Sequence, residues 1–339
     1  MYKKKIIIIG TGWYGCHLAL AFKKKGFQVK VYEKNQEIFS EASLYNQNRL
    51  HLGFHYPRSH ITRVQSKKGY KLFNSCYPSL TRNLDISLYA ISKNFSLMDF
   101  ETYKAIMRST GLIFEDFSDN NSCFLFKNLE GIINTGEKVI DSFKAKKLFE
   151  KELYNILVKG EEIKENHIKS FIKDGYSVID CTWNKIFPNN SLYYESAILF
   201  KYKNKSNKSF GLTIMDGNFS SIFPIDKEFS SLSDVKLTPF FKTSSIVEAY
   251  KSLNNIKNLQ INTIREKMEF RICEYLPNFH DYFEYKEPIF SIKTKRADNN
   301  SADRSTQLIK IDQNVFSVFS GKIDTIFEVE SQLLSIFSN

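Results

Sequence analysis

Residues 6–34 read IIIIGTGWYGCHLALAFKKKGFQVKVYEK, and no other stretch limits so tightly what the chain can fold into. Ile6, Ile7, Ile8 and Ile9 form a β-branched apolar run, suited to a parallel strand buried on both faces. Gly10, Gly12 and Gly15 then match G-x-G-x-x-G. The first glycine turns the chain, the second lets backbone approach a pyrophosphate, and the third permits close helix–strand packing, as does Ala19 one turn on. The pattern predicts a helix over about 14–25, closed by Gly26, whose N-terminal N–H groups and dipole face the phosphates. A second strand over 28–32 leads to Glu33, 18 residues after Gly15. A carboxylate there accepts hydrogen bonds from a ribose 2′-hydroxyl and repels a 2′-phosphate, so NADP is disfavoured. Strand, glycine turn, helix and acid in this order form the context that a dinucleotide site demands, with Trp13, Tyr14 and Lys34 as further candidate contacts.

Composition narrows the class. At 339 residues the chain exceeds what one hydrophobic core usually serves, so two domains are expected. Its 42% hydrophobic and 15% aromatic content fits a packed protein. No apolar run approaches the roughly 20 residues of a membrane span, and the run at 6–9 is far shorter than a signal-peptide core. A cytoplasmic protein without an integral membrane segment is the expectation. Five scattered cysteines without C-x-x-C, six histidines without H-E-x-x-H, and no G-x-S-x-G give no support to a disulfide framework, a metal or a nucleophilic hydrolase. The net charge of +11 comes from short, separated lysine runs such as KAKK at 144–147. They read as a solvated face, with attraction of an anionic substrate, a membrane surface or nucleic acid as the alternative; no finger or helix-turn-helix spacing accompanies them, so nucleic acid is not the expected partner.

Residues 41–59, EASLYNQNRLHLGFHYPRS, separate NAD from FAD. An NAD-type unit would run soon into another helix and strand; this chain gives a polar loop instead. The loop resembles that of the D-amino acid oxidase superfamily of FAD-dependent oxidoreductases, which includes glycine oxidase and the flavin-linked glycerol-3-phosphate dehydrogenases. In that superfamily H-x-G-x-(H/R)-Y lies along the flavin, and His51, Gly53, His55 and Tyr56 match it. The resemblance implies Ser43, at the pyrophosphate, Arg49 and His51 as cofactor contacts. Two later segments are similar. DGYSVIDCTWNK at 174–185 is like the strand whose tip borders the cofactor, with Cys181-Thr182 where the superfamily has alanine-glycine; Thr182 and Trp183 are the implied contacts. The turn Ser320-Gly321-Lys322 before a helix with apolar residues 326, 329, 333 and 336 looks like the G-G-K turn of the glycerol-3-phosphate dehydrogenase branch. There a helix N-terminus, assisted by Lys322, can stabilise charge on a reduced flavin.

The expected architecture is α/β: a Rossmann-like FAD-binding domain (1–75, 137–187 and 305–339) interleaved with an α+β substrate domain (76–136 and 188–304) containing an antiparallel sheet. Within the latter, SLMD at 96–99 reads as a capping-box-like helix start, Asp216-Gly217 as a hairpin turn, and 244–257 and 259–276 as helices. The activity implied is oxidation of a small, anionic substrate by hydride removal from a C–H beside an amine or hydroxyl, with oxygen or a carrier as electron acceptor. His51 and His55 are the candidate bases. Arg296 and Arg304 are candidates to grip a substrate carboxylate, which suits a guanidinium fork, and Tyr56 to orient substrate. Two alternatives stay open at this point: a flavin-dependent non-redox enzyme acting on a nucleotide sugar, resembling UDP-galactopyranose mutase, and a nucleotide-binding module with a basic surface and little turnover.

Overall fold

The computed structural model describes residues 4–118, 123–188, 191–296 and 306–338; Arg304 and the polar stretch 297–303 lie outside them. The chain divides into two compact units. The first comprises Met1–Leu44, Ser142–Tyr193 and Thr294–Asn339, the second Tyr45–Asp141 and Tyr194–Lys293. The loop of residues 45–59 that carries Arg49, His51, His55 and Tyr56 therefore groups with the second unit, and not with the cofactor segment expected to run to residue 75.

In the first unit, strand β1 (Lys5–Ile9) lies between two parallel neighbours, β2 (Gln28–Glu33) and Tyr176–Asp180. Paired on both edges and covered on both faces, Ile6, Ile7 and Ile8 lose all solvent contact, which is why the run is uninterruptedly apolar. The sheet order is Gln307–Asp312, Val315–Phe319, Tyr176–Asp180, β1, β2, Leu157–Lys159. Every adjacent pair is parallel except the first, an antiparallel hairpin at one edge. Helix α1 (Trp13–Lys24) is buried nearly all round, from Trp13 to Phe22, because it packs on the sheet and against the helices Ser142–Leu153 and Ile326–Ser338. Gly26 follows it at φ +84°, the left-handed geometry that ends helices.

The C-terminal helix departs from its expected face. Ile326, Val329, Leu333 and Phe337 are buried, whereas Ile336 is 45% exposed. Steps of three, four and four keep a straight 3.6-residue helix on one side, and Phe337 reaches the rings of Phe22 and Phe316. The same helix pairs Glu330 Oε2 with His17 Nε2 at 2.9 Å. That bond holds the Glu330 carboxyl below the ordinary carboxylate range. A carboxylate depressed on folding lends stability that is complete above its unfolded value, near 4.5, and lost as pH falls through the folded one. Glu330→Gln should accordingly flatten the acid limb of Tm plotted against pH; an acid limb identical to that of the parent would refute the contribution.

The second unit is built on a nine-stranded sheet, ordered Pro239–Thr243, Leu192–Asn204, Phe229–Asp234, Ser220–Pro224, Phe210–Met215, Ile86–Ser92, Leu129–Thr135, Phe114–Asp116, with Phe283–Arg296 also paired to Leu192–Asn204. It is antiparallel where Phe210–Met215 meets Ser220–Pro224, around the expected turn at Asp216-Gly217. One internal pair, Phe210–Met215 with Ile86–Ser92, is parallel. Phe200, Phe210, Leu212, Ile222 and Leu232 of this sheet pack with Met268, Ile272 and Leu276 from the helix Asn258–Cys273 and the turn after it. Ser96 does not start the next helix as SLMD suggested. Asp99 caps Phe100–Ser109 by accepting from the Thr102 N–H at 2.8 Å, while the Ser96 hydroxyl donates to the Met98 carbonyl. A carboxylate one residue before the helix outcompetes a hydroxyl three residues further out.

A small antiparallel sheet completes this unit: Arg49–Leu50 and Thr81–Asn83 flank Lys138–Ile140. Its register pairs Arg49 with Val139 and Leu50 with Lys138, so the next residues outward, His51 and Glu137, become neighbours.

Candidate active site

The glycine turn has the close approaches its spacing implies. Gly10 has φ +94°, and a Cβ on it would come within 3.0 Å of the Cys181 carbonyl oxygen. The Cys181 backbone thus lies against the turn, where a glycine at position 10 leaves room for it. A Cβ on Gly12 would meet the Ser43 Oγ at 2.8 Å, and one on Gly15 would lie 1.8 Å from the Gly10 carbonyl oxygen. Ser43 Oγ accepts the Trp13 N–H at 3.1 Å, which ties the segment after β2 to the first turn of α1. The Trp13 ring is core, packed on Phe39 and Phe149.

Glu33 is buried at the end of β2. Its Oε2 accepts from the Thr11 N–H at 3.0 Å and hydroxyl at 2.5 Å, and its Oε1 from the Asn35 N–H at 3.0 Å. A carboxylate offers about four lone-pair sites, so acceptor capacity is left for a ribose hydroxyl. Lys34 pairs with Glu41, which also meets Lys185. At the tip of Tyr176–Asp180, on the far side of β1, Asp180 Oδ1 accepts from the N–H and hydroxyl of Thr182 at 2.8 and 2.6 Å. Burial raises the Asp180 carboxyl in spite of these bonds and of the Ser317 hydroxyl at 2.9 Å. Trp183 and Asn184 follow at φ 59° and 60°, turning the chain away from the sheet.

The C-terminal turn joins the same end of the unit through Tyr14. The Tyr14 hydroxyl lies 2.7 Å from Ser320 Oγ, 2.7 Å from the Lys322 carbonyl and 2.8 Å from Thr325 Oγ1. Burial pushes its phenol far up, so it stays a neutral donor. Gly10, Gly12, Tyr14, Gly15, Glu33, Ser43, Thr182, Ser320 and Lys322 are thus linked within one unit by direct contacts or by chain. A turn that leaves no room for side chains, followed by a helix N-terminus and a ribose-seeking carboxylate, fits the pyrophosphate and adenosine half of FAD.

Arg49, His51, His55 and Tyr56 form a second cluster, in the second unit. Glu137, wholly buried there, organises it. Its Oε1 accepts the Leu52 N–H at 2.8 Å and its Oε2 the Tyr89 hydroxyl at 2.7 Å. His51 Nδ1 lies 3.6 Å from Oε1 and Arg49 Nη1 3.7 Å from Oε2. Burial by itself would raise the Glu137 carboxyl; His51, Arg49 and the Tyr89 phenol outweigh it and hold the group below its ordinary range. Arg49 also donates to Tyr89, Thr213 and Ser221, and its guanidinium stacks 4.0 Å above Phe223. Its terminal nitrogens are engaged within this unit. The His51 side chain is 20% exposed. The His55 ring sits among those of His51, Tyr56 and Phe219, at 5.2, 5.5 and 5.2 Å. Arg296 ends the strand Phe283–Arg296, half-buried. Glu137 and Tyr89 escaped the sequence reading because they lie 86 and 38 residues from His51, and strand pairing alone brings them in. The sole local signal is an acid opening the short apolar strand Lys138–Ile140.

Known proteins resemble this chain along most of its length. A family model described as an NAD(P)-binding Rossmann-like domain matches residues 8–74. The FAD-dependent monooxygenase FPY4 of Fusarium mangiferae is 34% identical over 98% of this chain and 90% of its own length. The FAD-dependent monooxygenase kojA of Aspergillus flavus is 25% identical over 99% and 86%. Among solved structures, the L-α-glycerophosphate oxidase of Mycoplasma pneumoniae with FAD bound superposes with a TM-score of 0.72 at 14% identity, over 100% of this chain and 96% of that one. Glycine oxidase from Geobacillus kaustophilus gives 0.70 at 11%, over 99% and 96%. Relatives named as monooxygenases and folds seen in oxidases do not favour the nucleotide-sugar mutase alternative. Matched almost end to end by a relative of this identity, and sharing the fold of glycine oxidase, the chain belongs to the family of FAD-dependent oxidoreductases that includes FPY4, and FAD is its cofactor.

Proposed function

We propose that the protein oxidises a small substrate at a C–H bond beside a hydroxyl or amine, with His51 receiving the proton that leaves as the hydride departs. Bound FAD supplies the two-electron acceptor. The observation that carries the reading is His51 held beside a buried, hydrogen-bonded carboxylate. Glu137, on the Nδ1 side, orients the ring and stabilises the imidazolium, which leaves Nε2 for the substrate hydroxyl or amine. At 3.6 Å the His51–Glu137 contact is longer than a hydrogen bond, and such contacts commonly tighten only when substrate is seated. Tyr89 and the Leu52 N–H fix Glu137 so that the ring, and not the acid, adjusts. Gly10, Gly12, Gly15, Glu33 and Ser43 would hold the adenosine and pyrophosphate half of the cofactor; Thr182, Trp183, Ser320, Gly321 and Lys322 would hold the flavin half.

Arg304 and Arg296 remain the proposed grip on an anionic substrate group, in keeping with the net charge of +11. Arg304→Ala should raise KM about tenfold or more with flavin content unchanged, the signature of lost substrate binding. An unaltered KM would assign Arg304 to the solvated surface.

A second reading is favoured by the names of the relatives at 34% and 25% identity: monooxygenation, in which one oxygen atom of O2 enters the product. Anaerobic addition of pooled amines, hydroxy acids and sugar derivatives to the purified yellow protein separates the two. Bleaching of the flavin by one pool alone supports substrate oxidation. Bleaching only with NADH or NADPH, with label from 18O2 in the product, supports the monooxygenase. A protein that cannot be reconstituted with FAD would remove both.

A further inference from the structure

We infer that Asp324 supplies a hydrogen-bond acceptor for the flavin half of FAD, a contact separate from the glycine turn and Glu33. Asp324 lies on the turn between the strand Val315–Phe319 and the helix Ile326–Ser338, and is 3% exposed. Both of its carboxyl oxygens are shut away from solvent without a hydrogen-bond partner. Its neighbours in the turn are satisfied. Ser320, Thr306, Thr325 and Tyr14 share their hydroxyls at 2.5–2.8 Å, and the Lys322 N–H meets Ser320 Oγ at 3.2 Å. Nor does Asp324 cap the helix, since it accepts from none of the first-turn N–H groups. A buried carboxyl with both oxygens unmet is costly, and such a group in an otherwise complete network marks a place where a ligand completes the bonding.

The chemistry narrows the ligand. Two acceptor oxygens on one carbon suit a pair of vicinal hydroxyls or one N–H beside a hydroxyl. FAD carries vicinal hydroxyls in the ribityl chain of its flavin half and in its adenosine ribose, the latter already matched to Glu33, while its pyrophosphate offers only acceptors and repels a carboxylate. Tyr14 bonds this turn to the first turn of α1, so the turn belongs to the end of the unit that holds the glycines. The inference rests on FAD lying along that turn, and the test keeps the two claims apart.

The experiment titrates apoprotein with FAD and separately with ADP, which has no flavin half, for the parent, Asp324→Asn, Asp324→Leu and Gly12→Val. Melting temperatures are recorded for each apoprotein. The expected result is FAD affinity weakened about tenfold or more in Asp324→Leu and less in Asp324→Asn, which keeps one acceptor oxygen. ADP affinity should be unchanged in both, and the apoprotein Tm equal or higher, because an unmet buried carboxyl has been removed. Parental FAD affinity in Asp324→Leu overturns the inference, and so does a lowered apoprotein Tm in both Asp324 variants, which would make the residue structural. If Gly12→Val retains both FAD and ADP, the placement of FAD at the turn fails instead.

Discussion

Replacing Gly15 by alanine is expected to yield protein that does not hold FAD. The new Cβ would sit 1.8 Å from the Gly10 carbonyl oxygen, far inside contact distance, and that oxygen is backbone. Neither side can yield cheaply. The Gly10 N–H is bonded to the Tyr32 carbonyl at 2.8 Å, and α1 is packed on the sheet and two helices. The helix start must therefore move away from the strand, and with it the N–H groups that would meet the pyrophosphate. Overpacking of this kind commonly costs about 1–3 kcal/mol and occasionally more. A lower Tm together with colourless purified protein would agree; full flavin occupancy at parental Tm would show that the turn is looser than its geometry.

The second large effect is expected at His51. His51→Gln should lower kcat about 10²–10⁴-fold, the usual contribution of a positioned general base, with FAD retained. Glu137→Gln should act through His51, with a smaller loss of kcat, because the amide keeps the shape but not the charge facing Nδ1. Glu137→Ala goes further, since Arg49 would be left buried without its carboxylate, and breaking a buried pair costs about 3–5 kcal/mol. If His51→Gln turns over at the parental rate, the proton acceptor lies elsewhere, and His55, one ring away at 5.2 Å, is the next residue to replace.

Some elements were legible because their information is local. The four isoleucines, the three glycines and Glu33 lie within 28 residues, and strand, turn and helix each follow from near neighbours. The hairpin around Asp216-Gly217 and the helix with Met268 and Ile272 were legible for the same reason. The C-terminal helix was legible as a helix, yet its inner face was misassigned by one residue at 336. Ile336 and Phe337 are both apolar, and only contact with Phe22 and Phe316 decides between them.

By itself the sequence determined a strand, glycine turn and helix in the central part of a parallel sheet, and it carried the resemblance of the loop after Glu33 to that of flavin enzymes. The first follows from short-range sterics and backbone geometry, which a few adjacent residues specify; the second rests on resemblance to a known family. Only the tertiary structure decided which groups surround His51. Glu137 reaches it through the pairing of Arg49–Leu50 with Lys138–Ile140, and Tyr89 through the larger sheet. It alone also showed that Asp324, an ordinary acid in a turn by sequence, is sealed away without a partner. Register between distant strands and the burial of a carboxyl are set by the sum of all packing contacts, so no local pattern encodes them.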